Sequence, residues 1–216
     1  MADRLIDTLY QAMPWDALDA VVFDIGGVLV GINGRKALAD MFPDDPELCR
    51  KVLSHTVRSP YWAMLDRGKL DLDACIGAMT EGDAALEEPI RRFMTGWPDY
   101  RTVLEEGRDA LLTCKSRGKK VFLLSNFPAV HYERNVREYD FFGAVDGAVI
   151  SSHVGMLKPE PGIYRYLTET YHLDPARTLF IDDDPGNVEA AMSLGWQGFC
   201  MNEPGRLAAF IGETAH

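Results

Sequence analysis

The stretch Ala20-Val21-Val22-Phe23-Asp24-Ile25-Gly26-Gly27-Val28-Leu29-Val30 decides the fold. Its first four residues are an unbroken apolar run with branched and aromatic members, and the run stops at an acid. A strand buried on both faces of a parallel sheet reads this way, because neither face presents polar side chains to water. The pattern recurs three times. Lys120-Val121-Phe122-Leu123-Leu124 stops at Ser125-Asn126, Ala148-Val149-Ile150 stops at Ser151, and Thr178-Leu179-Phe180-Ile181 stops at Asp182-Asp183-Asp184.

Helical spacing fills the intervals between these runs. Residues 104–115 carry Leu104, Leu111 and Leu112 and run towards Gly118, a C-terminal stop signal. Pro161 suits the first turn of a helix with Ile163, Tyr164 and Leu167 on one face, and 188–194 form another helix, closed by Gly195. Strand–helix alternation of this kind predicts an α/β protein with a doubly wound parallel sheet. The interval between Gly31 and Trp97 behaves differently. It has no convincing strand and reads as short helices over 35–41, 46–55, 61–65, 72–79 and 84–94, with breaks at Phe42-Pro43-Asp44, Ser59-Pro60, Gly68 and Gly82. The expected organisation is a core of residues 1–30 and 98–216 with a small α-helical cap inserted at 31–97. Gly31 and Gly34 mark one hinge, and Trp97-Pro98-Asp99 marks the return.

Bulk properties exclude several classes. The chain has 216 residues, 47% hydrophobic and 25% charged, enough apolar material for a real core. A net charge of −11 argues against nucleic acid, whose phosphates demand clustered Lys and Arg. Cys49, Cys75, Cys114 and Cys200 are scattered without a C-x-x-C pair, which fits reduced thiols better than a zinc site or a disulfide framework. Residues 1–13 place Leu5, Ile6, Leu9 and Met13 at helical intervals but interrupt them with Asp3, Arg4 and Asp7. A short amphipathic helix is expected there, not a signal peptide. No segment reaches membrane-span length, so a soluble cytoplasmic protein is expected.

In parallel α/β sheets, ligands bind beyond the carboxyl ends of the strands. Asp24, Ser125 with Asn126, and Asp182 with Asp183 all follow strand ends and are expected to converge. Lys158, in Gly155-Met156-Leu157-Lys158-Pro159, reaches the same crevice. Crowded carboxylates repel one another unless a cation lies between them, and a cluster without His or Cys suits Mg²⁺. With Lys158 as a second positive charge, the site favours an anionic substrate, phosphate above all. Taken singly, each residue has a plainer role: a turn aspartate, a helix cap, a solvated acidic turn, a surface lysine. Asp184 reads as a surface turn residue and Asn187 as a hydrogen-bonding brace for the loop. His131 and His153, nearest the presumed mouth, read as non-catalytic.

Together and in order, these segments resemble the four signatures of the haloacid dehalogenase-like (HAD) superfamily. The first is Phe23-Asp24-Ile25-Gly26-Gly27-Val28-Leu29-Val30, the second Leu123-Leu124-Ser125-Asn126, the third Lys158-Pro159, and the fourth Phe180-Ile181-Asp182-Asp183 with Asn187-Val188-Glu189. They anchor about half of the chain, and an ordered set of four is far more specific than any one. The resemblance implies an Asp24 nucleophile that forms a phospho-aspartate, later hydrolysed by water. It implies that Ser125 and the Asn126 amide hold phosphoryl oxygens and that Lys158 screens charge. Mg²⁺ is then bound by Asp24, the Gly26 carbonyl and Asp183, with Asp182 direct or through water. The substrate expected is a small phosphorylated metabolite under a helical cap, whose closure excludes water; the aromatic stretch Tyr61-Trp62-Ala63-Met64-Leu65 lines its entrance or packs its core.

One position departs from the pattern. Most phosphatases of the superfamily carry a second aspartate, a general acid, two residues after the nucleophile, where this chain has Gly26. A general acid is worth about 10²–10⁴-fold in rate. Three readings follow. The leaving group needs little protonation, as in anomeric sugar phosphates or aryl phosphates, and the D-x-G-[GN]-V form resembles the bacterial branch containing α-glucose-1-phosphate phosphatase. Alternatively the insert or a bound water supplies the proton, or the protein is a slow or inactive relative with a binding role. The 2-haloacid dehalogenases also lack the second aspartate, but they need no metal and have no use for the Asp182-Asp183 pair.

Overall fold

In the computed structural model, which describes residues 15–201, 203 and 205–213, the apolar runs lie side by side. The strands in chain order are β1 (Ala20–Phe23), β2 (Val30–Ile32), β3 (Arg101–Val103), β4 (Lys120–Ser125), β5 (Gly147–Ile150), β6 (Thr178–Asp182) and β7 (Gln197–Cys200). Five of them form one parallel sheet in the order β5-β4-β1-β6-β7, with β1 at its centre. Phe23 is level with Leu123 on one side and Ile181 on the other, so the next residue, Asp24, emerges beside Leu124 and Asp182. The register of the sheet therefore brings the first and fourth acidic segments together.

Both faces of this sheet are covered, which is why its strands read as continuous apolar runs. Val21, Phe23, Val121, Leu123, Leu179 and Ile181 point into one buried cluster. Ala20, Val22, Phe122, Leu124 and Phe180 alternate with them and point into the other, as the two-residue period of a strand requires.

The segment after β2 is helical: α1 (Gly34–Met41), α2 (Pro46–His55), α3 (Pro60–Asp66), α4 (Leu72–Met79) and α5 (Glu87–Gly96). Local chemistry sets its helix starts. Asn33, Asp45 and Asp71 accept hydrogen bonds from the backbone N–H groups of Lys36, Leu48 and Ala74, caps worth about 1 kcal/mol each. Leu38, Val52, Ile76, Ile90 and Phe93 from these helices join the same cluster as Phe23, Ile25 and Leu29. The helical segment thus shares its core with one face of the sheet.

After it come α6 (Glu105–Ser116), α7 (Ala129–Glu138), α8 (Ser151–Val154), α9 (Pro161–Tyr171), α10 (Pro185–Ser193) and α11 (Arg206–Glu213). Ala110, Leu111 and Cys114 of α6 pack on the first face, and Ile163, Tyr164 and Leu167 of α9 on the second.

Several elements differ from expectation. Gly31 lies not in a free hinge but in β2, paired antiparallel with β3 as Val30 to Val103, Gly31 to Thr102 and Ile32 to Arg101. Three-residue strands offer too little alternation to recognise. The glycine there serves close packing, since a Cβ would lie 3.0 Å from Thr102 Oγ1 and 3.1 Å from Leu104 Cδ2. The two ends of the helical segment are therefore tied into one ribbon, with a short turn of 3₁₀ helix, Trp97–Tyr100, leading into β3. The edge strand β7 was also missed, because Gln197-Gly198-Phe199-Cys200 has no apolar run. Helix α10 starts three residues before the expected 188, because the Asp184 carboxylate accepts from Gly186 N and caps it. The helix expected over 1–13 lies outside the described residues. Among the described residues no helix is long and apolar enough to cross a membrane.

Candidate active site

The carboxyl ends of β1, β4 and β6 and the loop after α8 meet at one place. Asp24, at 7% exposure, follows β1; its backbone N–H donates to Ile181 O at 2.9 Å, which locks it against β6. Its Oδ1 accepts from Ile25 N at 2.6 Å, and the nearby Ser125 hydroxyl favours the charged form of the same carboxylate. Lys158, also buried, places Nζ 2.9 Å from Asp24 Oδ1 and 2.6 Å from Asp182 Oδ2. Its backbone is clamped by Asn126: Lys158 N donates to Asn126 Oδ1 at 2.8 Å, and Asn126 Nδ2 donates to Lys158 O at 2.9 Å. All the residues singled out at strand ends are thus brought together, and Asn126 acts through its side chain as the strut that sets Lys158.

The two adjacent aspartates are not equivalent. Asp182 is fully buried and its oxygens are already engaged. Besides Lys158 it accepts from Asp184 N at 2.8 Å and from Asn187 Nδ2 at 3.1 and 3.2 Å. Asn187 is the brace that the sequence implied. Asp183 is open to solvent and turns its carboxylate over the loop after β1, where a Cβ on Gly27 would lie 2.1 Å from Asp183 Oδ2. Gly27 has φ +75°, a conformation that glycine adopts without penalty. Its missing side chain is what lets Asp183 approach. Asp24, Asp182 and Asp183 each offer an oxygen within 4.8 Å of the others.

Electrostatics follow from burial. Loss of solvent pushes the Asp24 carboxyl up to about 7; the Lys158 ammonium pulls it back, and Asp182 raises it further. For Lys158 burial works against the charge, yet the flanking Asp24 and Asp182 carboxylates outweigh it and raise its pKa. Three carboxylates against one ammonium leave an excess of negative charge that a divalent cation would cancel. An oxygen-only donor set of this spacing suits a hard ion such as Mg²⁺.

Two further features belong to the helical segment, and the second takes Trp62 from the aromatic stretch singled out in the sequence. Ser151 donates to the Asp66 carbonyl at 2.5 Å and accepts from Phe127 N at 2.9 Å, which joins the end of α3 to the turn after β4. The second is a cavity of about 430 Å³ in the helical segment, walled by Ile32, Leu53, Val57, Trp62, Phe93 and Trp97 together with Asn33, Gly34 and Arg35. Of the two histidines, His131 is buried edge-on against Trp97, centroids 4.7 Å apart, and His153 packs on Tyr132.

Comparison with known proteins bears on the family and the fold. A sesquiterpene phosphatase, astK, of Aspergillus oryzae is 29% identical over 192 residues, covering 85% of this chain and 90% of its own length. D-ribitol-5-phosphate phosphatase of Bacteroides thetaiotaomicron is 25% identical over 188 residues, covering 83% and 89% respectively. The crystal structure of a HAD family enzyme from the same bacterium, in complex with magnesium and inorganic phosphate, superposes with a TM-score of 0.65 at 22% identity, over 85% of this chain and 93% of that one. Residues 18–195 match the haloacid dehalogenase-like hydrolase family, which spans most of the molecule and all the residues of the site. This chain belongs to the haloacid dehalogenase-like hydrolases.

Proposed function

We propose that the protein is a Mg²⁺-dependent phosphatase that cleaves a small phosphomonoester through a phospho-aspartate on Asp24, with residues 31–97 acting as a cap over the site. The observation that carries this reading is Lys158, buried and bonded to both Asp24 and Asp182. A buried ammonium between two carboxylates holds the nucleophile's orientation and offers positive charge to an arriving phosphoryl group.

Asp24 attacks phosphorus in line, and its attacking oxygen is aimed by Ile25 N and Ser125. Ser125 and the Asn126 amide receive the phosphoryl oxygens. Asp24, Asp183 and the Gly26 carbonyl would hold Mg²⁺, whereas Asp182, already engaged by protein donors, chiefly orients Lys158. Bound there, the ion neutralises the acidic cluster and polarises the phosphoryl group. Lys158 meanwhile screens the repulsion between carboxylate and phosphate. Catalysis on this plan is positioning and charge neutralisation.

The apolar cavity bears on the substrate. Its walls are mostly apolar, with two tryptophans, Phe93 and aliphatic side chains beside the polar Asn33 and Arg35, and its size is that of a small-ligand pocket. The organic group of the substrate is accordingly a hydrocarbon-rich one, as the name of the Aspergillus relative also supports. A sugar or polyol phosphate is the second reading, favoured by the Bacteroides relative. Turnover of a panel of prenyl, aryl, alkyl and sugar phosphates, with Mg²⁺ or with EDTA, decides. Activity abolished by EDTA, restored by Mg²⁺ and lost in Asp24→Asn is expected, with prenyl phosphates preferred. No turnover of any phosphoester would leave a binding role. Metal-independent release of halide from 2-haloacids would make the protein a dehalogenase.

A further inference from the structure

The phosphatase reading leaves one step unprovided, the proton for the leaving group. Gly26 has no side chain, and there is room over it: a Cβ there would meet only Ile32 Cδ1 within 4 Å, at 3.8 Å.

We propose that Asp66, the last residue of α3, is the general acid of this enzyme. Its carboxyl protonates the bridging ester oxygen as the P–O bond to the leaving group breaks and the Asp24–phosphorus bond forms, releasing the alcohol. The Asp66 carboxylate left behind then takes a proton from the water that attacks phosphorus. The Asp24–phosphorus bond breaks, inorganic phosphate departs, and both side chains return to their starting forms.

Three observations place Asp66 for this task. First, its backbone is pinned to the rim of the site. Its carbonyl accepts from Ser151 Oγ, and Ser151 in turn holds Phe127 N, next to the Ser125-Asn126 turn. The following residues extend the anchorage: Arg67 is paired with Glu160 through two hydrogen bonds and donates to Gly155 O at 3.2 Å, and Gly68 abuts Ser152 so closely that a Cβ would lie 2.3 Å from Ser152 O. Second, the Asp66 carboxyl lies within the electrostatic reach of Asp24 and beside the Trp62 side chain, one turn earlier on α3. Trp62 is also a wall of the apolar cavity. Asp66 therefore has the nucleophile within electrostatic reach and a wall residue of the cavity beside it, and the proposal puts the bridging oxygen of the substrate between them. Third, the surroundings let the acid hold a proton in a substantial fraction of molecules near neutrality. Burial pushes its carboxyl up to about 7, opposed by the Trp62 side chain and assisted by the Asp24 charge. The other groups facing it do not compensate: Cys75 of α4 is a thiol pushed up to about 11, and the Arg67 guanidinium is engaged with Glu160.

The inference rests on the phosphatase reading, and the test separates the two. In the unaltered enzyme with Mg²⁺, kcat for alkyl and prenyl phosphates should lie within about tenfold of that for p-nitrophenyl phosphate, because a supplied proton flattens the dependence on leaving-group basicity. Asp66→Asn should lose about 10²–10⁴-fold on alkyl phosphates. With p-nitrophenyl phosphate the same variant should release a burst of nitrophenol equal to the enzyme present and then stall as the phosphoenzyme. Adding Gly26→Asp to Asp66→Asn should restore alkyl phosphate turnover, an outcome that a purely structural role for Asp66 does not produce. A steep leaving-group dependence in the unaltered enzyme overturns the proposal without recourse to any variant, and so does full alkyl turnover by a folded Asp66→Asn. If the unaltered enzyme turns over no phosphate ester at all, the phosphatase reading itself has failed.

Discussion

Gly27 shows how a single absent methyl shapes the acidic cluster. Its φ of +75° disfavours any other residue, and a Cβ would collide with the Asp183 carboxylate at 2.1 Å. In Gly27→Ala the flexible carboxylate is what must yield. The left-handed backbone costs roughly 1–2 kcal/mol of stability. The Mg²⁺ concentration for half-maximal activity should rise by about 10–100-fold, as when metal-site support is lost, with a lesser effect on kcat at saturating metal. Titration of activity with Mg²⁺ checks this; an unchanged half-saturation point would remove Asp183 from the metal site. The members of this cluster were legible beforehand, because a parallel sheet delivers whatever follows its strands to one edge. Asp24, Ser125, Asn126, Lys158, Asp182 and Asp183 needed only that rule and an ordered resemblance. Asp66 was not legible. It ends a short helix whose place over the sheet depends on Ser151, 85 residues away, and no local pattern distinguishes it from a solvated acid.

At the scale of elements, α3 is the contact between the helical segment and the far side of the site. Its end is fastened by Arg67, which reaches Glu160 and the Gly155 carbonyl. Both side chains of the pair are partly exposed, so the pair adds little to global stability. Its role is to favour the docked arrangement of α3. Arg67→Ala should leave the melting temperature within a few degrees of the original while raising KM several-fold, because the substrate must then supply the docking free energy. A large fall in melting temperature with KM unchanged would mean that the pair braces the fold instead. Prediction from sequence was weakest for elements of this size. The helices of the insert were readable because Asn33, Asp45 and Asp71 cap them and prolines open them. The β2–β3 ribbon and β7 were not, because strands of three or four residues containing Gly31 or Gly198 gain their stability from pairing across the chain rather than from local pattern.

Across the whole molecule, the net charge of −11 opposes an anionic substrate, and the buried Lys158 with the expected cation reverses that field only locally. Most of the fold is held by an apolar cluster that runs from the sheet into the helical segment, and His131 is buried at its margin beside Trp97 and Phe127. Burial lowers the His131 pKa from 6.5 to about 4, with Arg101 and Arg134 adding to the effect. Between those values the unfolded chain takes up a proton that the folded protein refuses. The stability associated with neutral His131 is therefore complete above 6.5 and is lost as pH falls towards 4, by up to about 3 kcal/mol. Urea midpoints measured at pH 7.5 and pH 5 should fall more for the native sequence than for His131→Phe; equal falls would show that His131 is protonated in the folded protein.

The central claim is that Asp24 carries the phosphoryl group. Acid quenching during turnover of p-nitrophenyl phosphate, followed by peptide mass spectrometry, measures this directly. One phosphoryl group is expected on the peptide containing Asp24, present with Mg²⁺ and absent with EDTA. A protein that turns over substrate with Asp24 unmodified in Asp66→Asn, where the adduct should accumulate, would contradict it.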